Sequence, residues 1–250
     1  MKYKLTRMNY EAHSEENSHP GFSVDCVIIT FHKGKLKVLL KDHGSGDYKA
    51  LLGGFVFNEE SADQAASRIL TFYTGMKNVY LRQFALFSDP KRTDIQQNID
   101  FIKKHASKNH EGKWLLRRFI SMGYFALLNY EKCATLFGKD SELKWYDTQN
   151  LPNLYSDHEN IIKTALENIR ILMPVIPVGY ELLPEKFTIS ELRKIYGIIL
   201  NKDLDRRNFQ RKILSEGKVI QLEERKSDKT YNAPILYSFK SPDIEDDFMK

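Results

Sequence analysis

Cysteine is almost absent from the chain. Cys26 and Cys133 are the only two in 250 residues, with neither CxxC spacing nor an even framework, which excludes a disulfide scaffold and a zinc ribbon. Each reads as a small buried hydrophobe. The seven histidines show no ligand spacing either: His105 and His110 stand five apart in a polar stretch and the rest are scattered, so no metal site and no cofactor is expected. Long apolar runs are missing too. Nothing approaches the ~18 residues of a membrane span, and the opening "MKYKLTRMNYEAHSEENSHPGF" holds no apolar core of a secretory signal. The chain is expected in the cytoplasm, with no membrane partner. It also has no internal repeat and no low-complexity tract.

What is present is an ordinary globular composition, 42% apolar, 12% aromatic and 28% charged. The length suits two domains. A net charge of +5 does not by itself imply nucleic acid, but its distribution is informative. Residues 181–240 carry 13 Lys/Arg against 9 Asp/Glu, while the last ten residues carry four acids and one lysine. The basic excess is therefore local, in a carboxy-terminal unit that precedes an acidic tail.

"FSVDCVIITF", "HKGK" and "LKVLLK" read as two apolar strands joined by a tight turn, and a third short strand leads into Gly53-Gly54. Residues 61–74 have helical spacing of Ala62, Ala65, Ala66, Ile69, Phe72 and Tyr73, with Gly75 as C-cap. Strands follow at "VYLRQFALF" and "RRFISMGYFALL". The polar excursion between them carries Ile95, Ile99 and Ile102 on a short helix, and is either a lid, an interface element or a solvated loop. "ELKWYDTQNLPNLYSDHENIIKTALENIRILM" gives a strand, a turn and a helix whose N-cap is Ser156 or Asp157. Pro174 and Pro177 then mark a linker.

Within "GGFVFNEESADQAASRILTFYTGM", residues 53–76, five positions fall in the register of the Nudix box: Gly54, Glu60, Arg68, Leu70 and Gly75. The stretch resembles that family, whose box places three further glutamates where this chain has Ile69, Phe72 and Tyr73. Carboxylates at i, i+3 and i+4 share one helix face and hold a hard divalent cation that activates water. Isoleucine, phenylalanine and tyrosine cannot. Glu59, Glu60 and Asp63 remain nearby but do not rebuild the set. Arg68 is expected to hold the preceding loop.

In "FTISELRKIYGIILNKDLDRRNFQRKILSEGKVIQLEERKSDKTYNAPILYSF", Thr188 and Glu191 form a capping box, and Ile189, Leu192, Ile195, Tyr196 and Ile199 give the first helix its inner face. Asp203 or Asp205 caps a second helix. On it Leu204, Phe209, Ile213 and Leu214 should look inward, and Arg206, Arg207, Gln210 and Arg211 outward. Two helices joined by a tight turn, then two strands with a basic tip, describe a winged helix-turn-helix. Arg225, Lys226 and Lys229 are placed to reach DNA phosphates from the wing. A domain that grips protein is the rival reading of this half.

Both halves together resemble the Nudix-related transcriptional regulators, a group that includes bacterial repressors of NAD metabolism and of arabinose use. "FTISELRKIY", "DRRNFQRKIL", "LPNLYSDHENIIKTAL" and "VDCVIITF" carry the likeness, and the 93–113 insertion departs from it. The resemblance implies an α+β chain in four parts. An extension at 1–21 precedes a Nudix-like α/β/α sandwich with a mixed sheet, the effector-binding domain, at 22–175. A winged helix-turn-helix domain follows at 176–240, then an acidic tail at 241–250. It further implies a homodimer on palindromic double-stranded DNA, a sugar or ADP-ribose-like nucleotide as effector, and no catalysis. From the "DRRNF" match Arg206, Arg207, Asn208 and Arg211 are taken as DNA contacts. Lys41, Asp89, Arg92 and Tyr124, near the ends of the strands expected to line the pocket, are the candidate effector contacts. An active pyrophosphohydrolase on a nucleoside diphosphate derivative is the alternative function.

Overall fold

Alternating apolar side chains in one long strand decide the layering. Strand β1 (Ser18–His32) sends Val24, Cys26 and Ile28 to one side and Val27 and Ile29 to the other, and all five are buried. A strand covered on both faces belongs at the centre of a sandwich. The computed structural model describes residues 18–44, 47–105, 116–134, 142–173, 178–226 and 233–240. The linker prolines, Lys229, His110 and the expected acidic tail lie outside them. So does the amino-terminal stretch up to residue 17, and β1 begins at Ser18, inside the expected extension.

The first element pair is the hairpin of β1 and β2 (Lys35–Asp42), with His32 opposite Lys35. Its two-residue turn needs positive φ at both positions, and Lys33 and Gly34 supply 49° and 78°. Strands β3 (Lys49–Ala50) and β4 (Leu52–Phe57) follow, the former on β2 and the latter on β1. Gly53 and Gly54 thus lie inside β4, where the sequence had suggested a strand ending at them. Helix α1 (Ala62–Thr74) has a full capping box between Ser61 and Gln64 and ends at Gly75 in the left-handed region. Strand β5 (Arg82–Phe87) pairs with β6 (Ile120–Leu128), and β6 runs parallel to β1, from Phe22 opposite Ile120 to Thr30 opposite Leu128. Helix α2 (Ile95–His105) lies between β5 and β6 in sequence, α3 (Tyr130–Ala134) follows β6, and β7 (Leu143–Asp147) closes the sheet on β2. Among the described residues the sheet is mixed and seven-stranded.

Helix α1 covers one face with Ala65, Ala66, Ile69 and Leu70. Helix α4 (His158–Leu172) covers the other with Ile161, Ile162, Ala165 and Ile169. Burying one aliphatic side chain contributes roughly 1.5–3 kcal/mol, so these two apolar stripes hold the sandwich together. Both cysteines are buried, and burial raises the Cys133 thiol to about 11.

The second unit comprises α5 (Val178–Leu182), α6 (Ile189–Leu200), α7 (Arg206–Ser215), β8 (Val219–Arg225) and β9 (Ile235–Phe239). Its capping box forms as expected: Thr188 Oγ1 accepts from Glu191 N, and Thr188 N donates to Glu191 Oε2 at 2.9 Å. Of the two candidate aspartates Asp205 is the N-cap of α7, accepting from Asn208 N at 2.8 Å, while Asp203 points into solvent. Leu214, expected inside, is 39% exposed, because Phe209 and Ile213 already fill the inner face of this short helix. The unit is not separately packed. Leu192, Ile195, Ile199, Phe209 and Ile213 share one continuous apolar core with the outer-layer helix α4.

Candidate functional site

The retained charges of the box satisfy each other. Arg68 donates from Nε to Glu60 Oε2 at 2.8 Å and from Nη2 to Glu60 Oε1 at 2.5 Å and to the Phe55 carbonyl at 3.0 Å, with its guanidinium 4.0 Å from the Phe57 ring centroid. Glu60 in turn accepts from Phe57 N at 2.9 Å. The pair therefore closes the loop between β4 and α1, a positioning task. Gly54 precedes that loop within β4, and Gly75 ends the helix that follows it.

The three positions that would carry glutamates scatter in environment. Ile69 is buried under the sheet, Phe72 is 38% exposed, and Tyr73 is half-buried with its hydroxyl 2.5 Å from Lys41 Nζ. Asp63 accepts a 2.6 Å hydrogen bond from the Tyr124 hydroxyl. Among the described residues no group of three or more His, Cys, Asp and Glu side chains is placed to hold a metal ion. The donor set does not fit magnesium.

The structure does not bring the four expected effector residues together. Lys41 and Tyr124 lie on the α1 side of the sheet. Tyr124 is buried, and burial together with its bond to Asp63 raises its phenol above the ordinary value. Asp89 sits in an exposed turn, where its carboxylate accepts from Lys91 N at 2.7 Å. Arg92 is on the α4 side with its side chain 7% exposed, inside a polar cluster that the sequence reading missed.

That cluster is built around Asp25. Its carboxylate accepts from Ser121 Oγ at 2.6 Å and lies 3.6 Å from both Arg92 Nη2 and His158 Nε2. Asp25 stands directly across from Gly53 on one flank and Gly123 on the other. A Cβ at position 53 would fall 2.3 Å from Asp25 Oδ1, so glycine there makes room for the carboxylate. Arg92 forks onto Asp157 with two 2.9 Å bonds. Asp157 is the residue before α4, but its side chain is spent on Arg92 and makes no cap bond. Helix α2 joins the same cluster with unexpected side chains: Ile95 is exposed, while buried Gln97 accepts from Ser156 N at 2.8 Å and buried Asn98 accepts from the Tyr155 hydroxyl at 2.5 Å. Helix α2 is thereby docked on the segment that leads into α4. Burial pushes the Tyr155 phenol up to about 12. The signal available in the sequence was an aspartate at an inward position of an apolar strand, in "SVDCVII".

His158 Nδ1 accepts from Leu51 N at 3.0 Å, which places its proton on Nε2, facing Asp25. Burial lowers its pKa from 6.5, with Asp25 and Asp157 opposing and Arg92 and Lys41 adding to the lowering. The unfolded chain thus binds this proton at higher pH than the folded one. The resulting stability is fully present above the unfolded value and falls away as pH drops toward the depressed one. In urea titrations at about pH 7.5 and about pH 5.5, wild type should lose more stability on acidification than His158→Gln. Equal losses would assign the acid sensitivity elsewhere.

In the second unit α7 exposes Arg206, Arg207, Asn208 and Arg211, with Gln210 half-buried beside them. Arg211 donates to Asn208 Oδ1 at 2.9 Å, which aligns the two on one face. In the wing, Arg225 donates to the Ala233 carbonyl at 2.9 Å across the hairpin itself, and Lys226 Nζ pairs with Glu191, which ties the wing to α6. Arg193, not singled out in the sequence, donates to the Leu204 carbonyl at 2.5 Å and fixes the turn before α7.

Residues 179–239 match the family model described as the NrtR DNA-binding winged helix domain. An ADPR-responsive transcriptional repressor NtrR of Acinetobacter baylyi is 25% identical over 236 residues, covering 92% of this chain and 86% of that protein. The crystal structure of Shewanella oneidensis NrtR in complex with a 27mer DNA superposes with a TM-score of 0.67 at 24% identity, over 88% of this chain and 93% of that one. A MutT/nudix family protein of Enterococcus faecalis gives 0.63 at 22% identity, over 96% and 94%. The chain thus shares the fold of S. oneidensis NrtR over most of its length, with a Nudix-like α/β/α sandwich in front of a segment that matches the NrtR winged helix model.

Proposed function

We propose that this chain is a ligand-responsive transcriptional repressor of the cytoplasm. It binds a palindromic operator as a homodimer, and its Nudix-like domain senses an ADP-ribose-like nucleotide without hydrolysing it. The exposed cationic face of α7 carries the reading, because arginines held by a rigid helix behind a capped turn are suited to a major groove. Support for a nucleotide over a sugar comes from the ADPR response of the A. baylyi relative. Ile69, Phe72 and Tyr73 at the three glutamate positions support loss of hydrolysis. Among the described residues no helix is long and apolar enough to cross a membrane.

A repressor of this kind needs an effector that prefers one arrangement of the winged domains, since a ligand bound equally in both states shifts nothing. A mobility-shift titration on the DNA upstream of neighbouring genes tests the proposal. Affinity should fall steeply between about 50 and about 200 mM salt, as phosphate neutralisation requires, and ADP-ribose should release the DNA. Salt-independent binding, or AMP released from ADP-ribose with magnesium present, counts against it.

A further inference from the structure

We infer that the effector's diphosphate is held without a divalent metal, by a cation that the fold supplies at the degenerate box: the ammonium of Lys41, hydrogen-bonded to the Tyr73 hydroxyl. This rests on the reading of the domain as a nucleotide receptor, and concerns how that receptor meets the ligand's charge. Tyr73 occupies the last of the three glutamate positions, in the final turn of α1. Lys41 reaches it from β2, two residues beyond the buried Leu39 and on the same side of the sheet. Its Nζ donates to the Tyr73 hydroxyl at 2.5 Å, so a hydrogen bond to the phenol holds the charge beyond the ring edge. Where the box's carboxylates would gather to hold a metal, this chain has a phenol hydroxyl with an ammonium bonded to it.

The neighbouring acids do not neutralise that cation. Asp42 is paired with Lys49 at 2.9 Å, Asp63 with the Tyr124 hydroxyl, and Glu60 with Arg68. Among the described residues no carboxylate forms an ion pair with Lys41, and its side chain is only half-buried. A half-buried ammonium held in one geometry, with the local carboxylates engaged elsewhere, suits an anion. Beside a receptor for ADP-ribose-like molecules, the anion is the diphosphate. A carboxylate cage binds diphosphate only through a bridging metal, whereas an ammonium binds it directly, so the two arrangements predict opposite responses to chelation.

The test is calorimetric titration of the full-length protein with ADP-ribose and with inorganic pyrophosphate, in EDTA and in magnesium. Wild type should bind ADP-ribose with a Kd that differs less than about two-fold between the two buffers. Lys41→Met should weaken binding at least about ten-fold, as loss of one charge-assisted hydrogen bond implies, and Lys41→Arg should restore most of it. Pyrophosphate should compete with ADP-ribose in wild type and fail to do so in Lys41→Met. Thermal denaturation separates a ligand contact from a mere staple between β2 and α1. A staple would lower Tm in Lys41→Met and leave Kd unchanged, which overturns the inference. Abolition of wild-type binding by EDTA overturns it too, as does failure to bind either probe. The DNA-binding reading is judged separately by the mobility shift.

Discussion

Operator binding should weaken about 100-fold when Arg207 and Arg211 are both changed to alanine, since each well-placed arginine contributes roughly 1–3 kcal/mol at a DNA groove. The two sit one helical turn apart on α7, both exposed, on the side away from Phe209 and Ile213. Neither packs into the core, so the variant should keep its fold, with Tm close to wild type. Phosphate contacts and base contacts separate in the salt dependence. Each lost phosphate contact reduces the slope of log Kobs against log salt by about 1, while a lost base contact relaxes sequence preference at one position. Arg225→Ala and Lys226→Ala provide the contrast. Their side chains hold the wing through Ala233 and Glu191, so these changes should loosen β8 and β9 as well as weaken binding. Unchanged affinity in the Arg207/Arg211 variant would mean that α7 is not the recognition helix.

Local chemistry explains which parts could be read from the sequence. The capping box of α6, the C-cap glycine of α1, the tight hairpin turn and the helix-turn-helix all depend on residues within a few positions of each other, so their signals lie in contiguous text. The Arg68–Glu60 fork was also accessible, because the box fixes its spacing. The Asp25 cluster was not. Ser121 reaches Asp25 across 96 positions and Arg92 reaches Asp157 across 65, and no periodicity encodes such partnerships. The same limit explains why four polar residues at strand ends were grouped as one pocket. Strand ends say how far along a strand a side chain lies, but only the paired register tells which face it occupies. In the wing, the Ala233 carbonyl that Arg225 meets lies eight positions away across the same hairpin, whereas the Glu191 carboxylate that Lys226 meets lies 35 positions away, where no local signal points to it.

Changing Arg92 to methionine should destabilise the sheet domain by about 3–5 kcal/mol, the usual cost of removing one partner of a buried ion pair. Methionine fills similar volume, so the loss is electrostatic. Without the guanidinium, the Asp157 carboxylate loses two 2.9 Å bonds, and Asp25 loses a cation 3.6 Å away, both in surroundings that exclude most water. For a chain of this length each kcal/mol shifts Tm by about 2–4 °C, which gives a fall of roughly 6–20 °C. Asp157→Asn in the Arg92→Met background removes one stranded charge and should recover part of the loss, a coupling that a double-mutant cycle measures directly. The damage should also travel. Arg92 precedes α2, whose Gln97 and Asn98 reach Ser156 and Tyr155, and Asp157 leads into α4, so amide exchange should accelerate across 95–105 first. At the other end of α4, Arg170 donates to the Ile199 carbonyl at 2.6 Å, which connects the same helix to α6 of the winged unit. A loosened α4 should therefore change operator affinity without any change to α7. A cost below about 1 kcal/mol would instead mean that Arg92 contributes no more than an exposed surface pair, and that the insertion is held by its neutral hydrogen bonds alone.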